Sequence, residues 1–144
     1  MSQPDVNGLF DDNVAITATR DSTNHIMVSG ALGTGTFNNV EFVGNEIWVD
    51  FLVTQVFATL TSLVIAIFGS ADDSAFDTVP LVQTGTIPVA RLTLGNKFQL
   101  IIPALLPAGY TIPKYLKAVY TVGGSSATTG KIDARIVMTR QPAT

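Results

Sequence analysis

Residues 47–76 constrain the fold more than any other part of this chain, because no charged residue occurs between Asp50 and Asp72. About 20 apolar residues can span a bilayer as a helix, so a transmembrane helix is one interpretation. However, Thr, Gln and Ser interrupt the segment, no Lys or Arg flanks it, and Val, Ile, Thr and Phe favour strands. We therefore predict two strands of one hairpin, joined around residues 58–62.

Alternation of apolar and polar residues predicts strands along the whole chain, and no segment shows the pattern of an amphipathic helix. The strand at 61–69 is apolar on both faces, which predicts cover by the opposite sheet and by another chain or loop. Residues 87–94 are predicted as a connection with a helical turn. The last two strands are predicted to form a hairpin with its tip at 123–130. The eight main strands are predicted at 13–19, 25–29, 46–56, 61–69, 79–84, 97–103, 114–122 and 131–139.

Eight strands with irregular loops predict an all-β, antiparallel jelly-roll sandwich of two Greek keys with little helix. An immunoglobulin-like sandwich is the alternative, although the Cys–Trp–Cys pattern of antibody domains is absent. A chain of 144 residues fits one such domain, which we place at 13–139. Residues 1–12 are predicted as an N-terminal arm and residues 140–144 as a C-terminal tail.

Two segments are predicted to contribute to an interface with other subunits. Leu9 and Phe10 are the only bulky apolar residues of the arm, which is either a disordered tail or orders against a neighbouring subunit. The loop at 105–112 is predicted to be rigid because of Pro107 and the following Pro113, which reduces the entropy lost on binding. Its predicted interface residues are Leu105, Leu106, Pro107, Tyr110 and Ile112.

The charge content limits the classes of partner. Charged residues make up 13% of the chain, against about 25% in typical domains. This scarcity predicts a surface that is hidden by oligomerisation or assembly. The net charge of −3 and the scattered Lys and Arg argue against nucleic acid and anionic membranes, which require a basic patch. The first residues contain no basic segment followed by an apolar core, so no secretion signal is expected.

Few residues are suited to catalysis or to metal binding. The chain has no cysteine and one histidine, His25, which excludes a histidine-rich metal site and favours a surface or interface histidine. The acidic turn at 72–77 allows Ca²⁺ binding, but it lacks the EF-hand spacing. We favour a solvated turn in which Asp72 or Asp73 accepts hydrogen bonds from local backbone amides and Phe76 closes the end of the sandwich. We predict no catalytic residue, no cofactor and no metal site. An aromatic sugar platform would have to come from Trp48, Tyr110, Tyr115 and Tyr120.

Short motifs in a fixed order extend over about residues 13–138. They are NVAITA at 13–18, DSTN at 21–24, SADDSAF at 70–76, TIP at 86–88, Gly109, KYL at 114–116, YTVGG at 120–124, TGKI at 129–132 and Ala134. In these motifs the chain resembles the jelly-roll capsid cement, or decoration, proteins of tailed bacteriophages. It departs from them in residues 1–12 and in the glycine loop at 30–39.

The resemblance implies a homotrimer on the outer surface of the virion head. There it would bridge neighbouring major capsid subunits and stabilise their lattice, without catalysis or a cofactor. The partners implied are sister subunits and the major capsid protein, with no nucleic acid and no membrane. The alternative function is a jelly-roll binding module that recognises carbohydrate or a host surface.

Overall fold

The computed structural model describes residues 9–27, 47–102 and 115–137, which form two antiparallel β-sheets around a common core. The first sheet has the strand order β1-β10-β4-β8, and the second has the order β2-β9-β5-β6. In the second sheet β3 also pairs with β9, and β7 pairs with β5. The strands are β1 Leu9–Ala15, β2 Arg20–Asp21, β3 Ile26–Met27, β4 Ile47–Ala58, β5 Ser62–Ser70, β6 Val82–Gln83, β7 Ile87–Pro88, β8 Lys97–Ile102, β9 Tyr115–Gly123 and β10 Thr129–Val137.

This architecture confirms the predicted all-β sandwich with little helix. The 3-10 turn at Val89–Arg91 confirms the helical turn predicted within residues 87–94. Within the described residues six strands are long and four, namely β2, β3, β6 and β7, have two residues each, which differs from the eight main strands that we predicted. No helix within the described ranges is long and apolar enough to cross a membrane.

The charge-free segment is not a hairpin, because β4 and β5 belong to different sheets. Strand β4 pairs with β10 and β8, whereas β5 pairs with β9, β6 and β7. Each strand has its own apolar inward face, so the two strands bury these faces against each other across the core. The inward residues are Val49, Phe51 and Val53 of β4 and Leu63, Ile65 and Ile67 of β5.

The predicted hairpin of the last two strands is wrong for the same reason. Strand β9 pairs with β5 in the second sheet, and β10 pairs with β1 and β4 in the first. The predicted faces are nevertheless confirmed, since Leu116, Ala118 and Tyr120 of β9 are completely buried. In β10 the same is true of Ile132 and Ala134. Alternation identifies the buried face of a strand but not the sheet that the strand joins.

The outward face of β5 is partly covered within the chain. Ala66 is 6% exposed, and Val64 and Phe68 are half-buried, although all three alternate with the core residues of β5. Cover of the inner face is confirmed, because Leu63, Ile65 and Ile67 are completely buried in the core. Cover by a second chain stays a prediction.

The predicted N-terminal arm is too long, because β1 begins at Leu9 and pairs with β10. Phe10 is completely buried in the core, so it cannot be the arm residue that we predicted. Two register irregularities interrupt the β1–β10 pairing, and Asn13 has a positive φ of 54°. These irregularities disturb the period-two pattern, which explains why sequence alternation placed the first strand at 13–19.

A buried hydrogen bond joins the two sheets close to β1. The Tyr120 hydroxyl donates to Asp11 Oδ2 over 2.6 Å, and the Thr23 backbone N–H donates to Asp11 Oδ1 over 2.8 Å. Tyr120 and Asp11 are completely buried. Burial, followed by the neighbouring Asp11 carboxylate, raises the pKa of Tyr120 well above its usual value. Asp11 therefore holds a strand of the first sheet to a strand of the second.

Candidate functional site

The acidic corner, residues 70–77, follows β5 and is organised by one buried hydroxyl. Ser70 Oγ accepts the backbone N–H groups of Asp72 and Asp73 over 3.2 and 3.0 Å, and it lies 2.7 Å from the Ala75 carbonyl oxygen. A bridge between Ser70 and Phe76 closes the corner. Asp73 adopts a positive φ of 63°, which Asp tolerates better than most residues. Hydrogen bonds to Ser70 and the Ser70–Phe76 bridge therefore brace the corner.

Asp72 is a structural residue of this corner. Its Oδ1 atom accepts the backbone N–H groups of Ser74 and Ala75 over 2.9 and 3.0 Å. The hydrogen bond from Ala75, followed by that from Ser74, lowers the pKa of Asp72, because both stabilise the ionised carboxylate. This confirms the predicted turn. In the part of the chain that is described, no three His, Cys, Asp or Glu side chains are grouped so that they could hold a metal ion.

His25 joins the corner from the β2–β3 segment. Its Nδ1 atom lies 2.6 Å from Asp73 Oδ1, and its ring contacts the Phe76 ring edge-on at a centroid distance of 5.1 Å. The His25 side chain is 31% exposed, which confirms the predicted surface histidine. Phe76 was expected to close the end of the sandwich, but it is half-buried on the outer side, between His25 and Lys117.

A groove of about 410 Å³ lies beside the corner, on the outer face of the second sheet, and we call it the β5–β9 groove. Strand β5 contributes Phe68 and β9 contributes Lys117 and Val119, because Phe68 pairs with Lys117 in the β5–β9 register. The corner and the residue after it contribute Ser74, Phe76, Asp77 and Thr78, and β2 contributes Asp21. An open groove of this size is suited to side chains of another molecule.

The charged groups of the groove are unevenly paired. Lys117 Nζ forms an ion pair with Asp21 Oδ2 over 3.0 Å and lies 4.4 Å from the centroid of the Phe76 ring. The Asp77 backbone N–H donates to the Gly69 carbonyl over 2.9 Å, which holds its backbone in place. The Asp77 carboxylate, in contrast, has no hydrogen bond or ion pair within the described ranges. The groove therefore combines apolar side chains with one carboxylate, that of Asp77, that has no positively charged partner among the described residues.

Two of the seven predicted interface residues, Leu9 and Phe10, lie in the part of the chain that the structure describes. Leu9 is half-buried at the start of β1, and Phe10 lies in the core. The five residues predicted in the loop, Leu105, Leu106, Pro107, Tyr110 and Ile112, lie outside the described residues.

The aromatic sugar platform is not formed by the residues that the structure describes. Trp48 lies on β4 in the first sheet, Tyr115 lies on β9 in the second, and Tyr120 is in the core. Sequence analysis missed the groove itself. Strand parity identifies Phe68, Lys117 and Val119 as outward residues, but it does not show that β5 and β9 are neighbours.

Comparison with known proteins supports a phage origin. A family model named Bbp16 matches residues 10–136 of the chain. The comparison with curated proteins gave no match. The family name is phage-related, which agrees with the phage part of the resemblance, and the decoration role stays a prediction. Because the match covers most of the chain, the protein belongs to the phage-related Bbp16 family.

Proposed function

We propose that this protein is a capsid cement, a structural virion protein that binds the outer surface of the assembled head and stabilises the major capsid lattice. The observation that supports this most is the match to a phage-related family over residues 10–136. That region coincides with the motifs that resemble cement proteins. In this proposal the chain carries out no reaction and needs no cofactor.

Exposed apolar side chains on a charge-poor surface support the proposal. Leu94 is 71% exposed and Val56 is 49% exposed. They lie on adjacent segments, since the Phe57 backbone N–H donates to the Leu92 carbonyl over 3.1 Å. Burying such side chains stabilises a complex by about 25 cal/mol per Å² of apolar surface. The surface around Leu94 and Val56 is therefore suited to contact with another protein.

The physical mechanism of such a cement is multivalent binding. A single domain with a small contact area binds a shell weakly. Several linked domains bind together, because the first contact places the others at a high effective concentration. A protein that binds only the assembled lattice stabilises that lattice by mass action. The resemblance predicts that the linked unit is a homotrimer.

Reconstitution on heads tests the proposal. Purified protein is added to expanded heads that lack it, and occupancy is measured by co-sedimentation and by reconstruction of the particle. We expect density on the outer surface and a higher temperature of head disruption that depends on protein concentration. Density on the inner surface, or no occupancy at saturating protein, would contradict the proposal.

Two further measurements test the oligomer and the alternative function. Light scattering at high concentration, together with the symmetry of bound density, tests the homotrimer. A glycan array tests the carbohydrate-binding alternative. Glycan hits without binding to heads would replace the cement proposal, whereas head binding without glycan hits would support it.

A further inference from the structure

The carboxylates around the β5–β9 groove differ in the groups that pair with them. Asp21 is paired with Lys117 over 3.0 Å, and Asp73 is 2.6 Å from His25 Nδ1. Asp72 accepts two backbone N–H groups of the corner. Only Asp77, among the acidic residues of this end that the structure describes, has a carboxylate without a partner. A cation from another molecule would supply the partner that the Asp77 carboxylate lacks.

The apolar residues that line the groove indicate which kind of cation fits it. Phe68, Phe76 and Val119 supply aromatic and aliphatic surface next to Asp77. An arginine side chain matches this combination, because its guanidinium is weakly hydrated and stacks on aromatic rings while its stem covers apolar surface. Lysine fits less well, since its ammonium is compact and strongly hydrated. An anion is disfavoured, because Lys117, the one cation lining the groove, is already held by Asp21.

We propose that the β5–β9 groove binds an arginine side chain of a partner protein, with the stem on Phe68 and Val119 and the guanidinium on Asp77. The acidic corner holds Asp77 in place before the arginine binds. The Asp77 backbone is held by Gly69, and the Ser70–Phe76 bridge holds the segment that leads to it. Little conformational entropy is therefore lost on binding. The inference goes beyond the cement proposal, since it concerns the chemistry of the groove whatever protein supplies the arginine.

The test uses the full chain, labelled with ¹⁵N, and two capped dipeptides. One is acetyl-Leu-Arg-amide, and the other replaces arginine by citrulline, which has the same shape without the charge. Amide shifts measured during titration identify the site and give both affinities. We expect shifts at Asp77, Lys117 and Val119 and an arginine preference of about threefold to tenfold at low salt. This preference should shrink between about 10 mM and about 150 mM salt.

Two charge-removing variants separate the groove from a general electrostatic effect. Asp77→Asn should abolish the preference for arginine over citrulline, because it removes the unpaired charge and keeps the shape. Asp12→Asn removes an exposed carboxylate on β1 of the other sheet and should leave the preference unchanged. Dispersed amide spectra of both variants verify that they are folded.

Three results would overturn the inference. The first is equal affinity for the two dipeptides, and the second is a preference that persists in Asp77→Asn. The third is a set of shifts that maps outside the groove. Binding of a neutral oligosaccharide at the groove, combined with the first of these results, would favour a carbohydrate ligand.

Discussion

Replacing Tyr120 by Phe tests whether the buried hydrogen bond to Asp11 holds the two sheets together. The change removes one oxygen atom and leaves the Asp11 carboxylate with the Thr23 backbone N–H as its remaining donor. Hydrogen bonds to charged groups contribute about 1.5–3 kcal/mol, so the free energy of unfolding should fall by about 2 kcal/mol. For a domain of this length, that corresponds to a fall in Tm of roughly 6–8 °C.

Urea denaturation followed by the fluorescence of Trp48, the single tryptophan, measures this change. Tyr115→Phe is the matched control, since it removes a hydroxyl from the same strand that has no hydrogen bond within the described ranges. We expect it to change the free energy of unfolding by less than about 0.5 kcal/mol. If Tyr120→Phe costs no more than Tyr115→Phe, the hydrogen bond contributes nothing and the reasoning is refuted.

The alkaline pH dependence provides a second measure of the same bond. The pKa of Tyr120 is raised in the folded state, so the unfolded chain loses this proton first as pH rises. The stabilisation that the protonated Tyr120 hydroxyl contributes is fully present below about pH 10, and it decreases above that pH. Tyr120→Phe should remove this decrease, whereas Tyr115→Phe should not remove it. Parallel curves for wild type and Tyr120→Phe above pH 10 would contradict the assignment.

Three further substitutions and one control test the core, the backbone and a half-buried charge. Phe10→Ala should cost about 3–5 kcal/mol of unfolding free energy, because Phe10 is completely buried; a cost below about 1 kcal/mol in urea denaturation would restore the arm interpretation. Gly130→Ala should lower the free energy of unfolding by about 3 kcal/mol, since its Cβ would lie within 2.3 Å of the Phe57 ring and its φ is +137°. Gly85→Ala is the control, because its added Cβ meets no atom within 4 Å and should leave the free energy of unfolding unchanged. Burial raises the pKa of Asp133, so its ionised form destabilises the folded state once pH rises through that raised pKa. Asp133→Asn should therefore raise Tm more at pH 7 than at pH 4. Calorimetry that shows the opposite trend would contradict this.

The local pattern of the sequence determined which face is buried in the long strands other than β1. The alternation in β5, β9 and β10 predicted their core residues, because successive side chains of a strand point to opposite sides. The acidic corner was also predictable, since Asp and Ser next to each other commonly bond nearby backbone amides. The start of β1 was not predictable, because register irregularities break its alternation.

The tertiary structure alone decided which strands are neighbours. Ile65 pairs with Tyr120, and Val53 pairs with Ile132, at separations along the chain that local periodicity does not encode. The β5–β9 groove depends on these pairings, since it joins Asp21, Asp77 and Lys117 from three distant segments. The unpaired charge of Asp77 is likewise a tertiary property, because the distances among neighbouring side chains determine which carboxylates have a partner. The sequence thus determined the buried faces through local periodicity, and long-range strand pairing produced the candidate site.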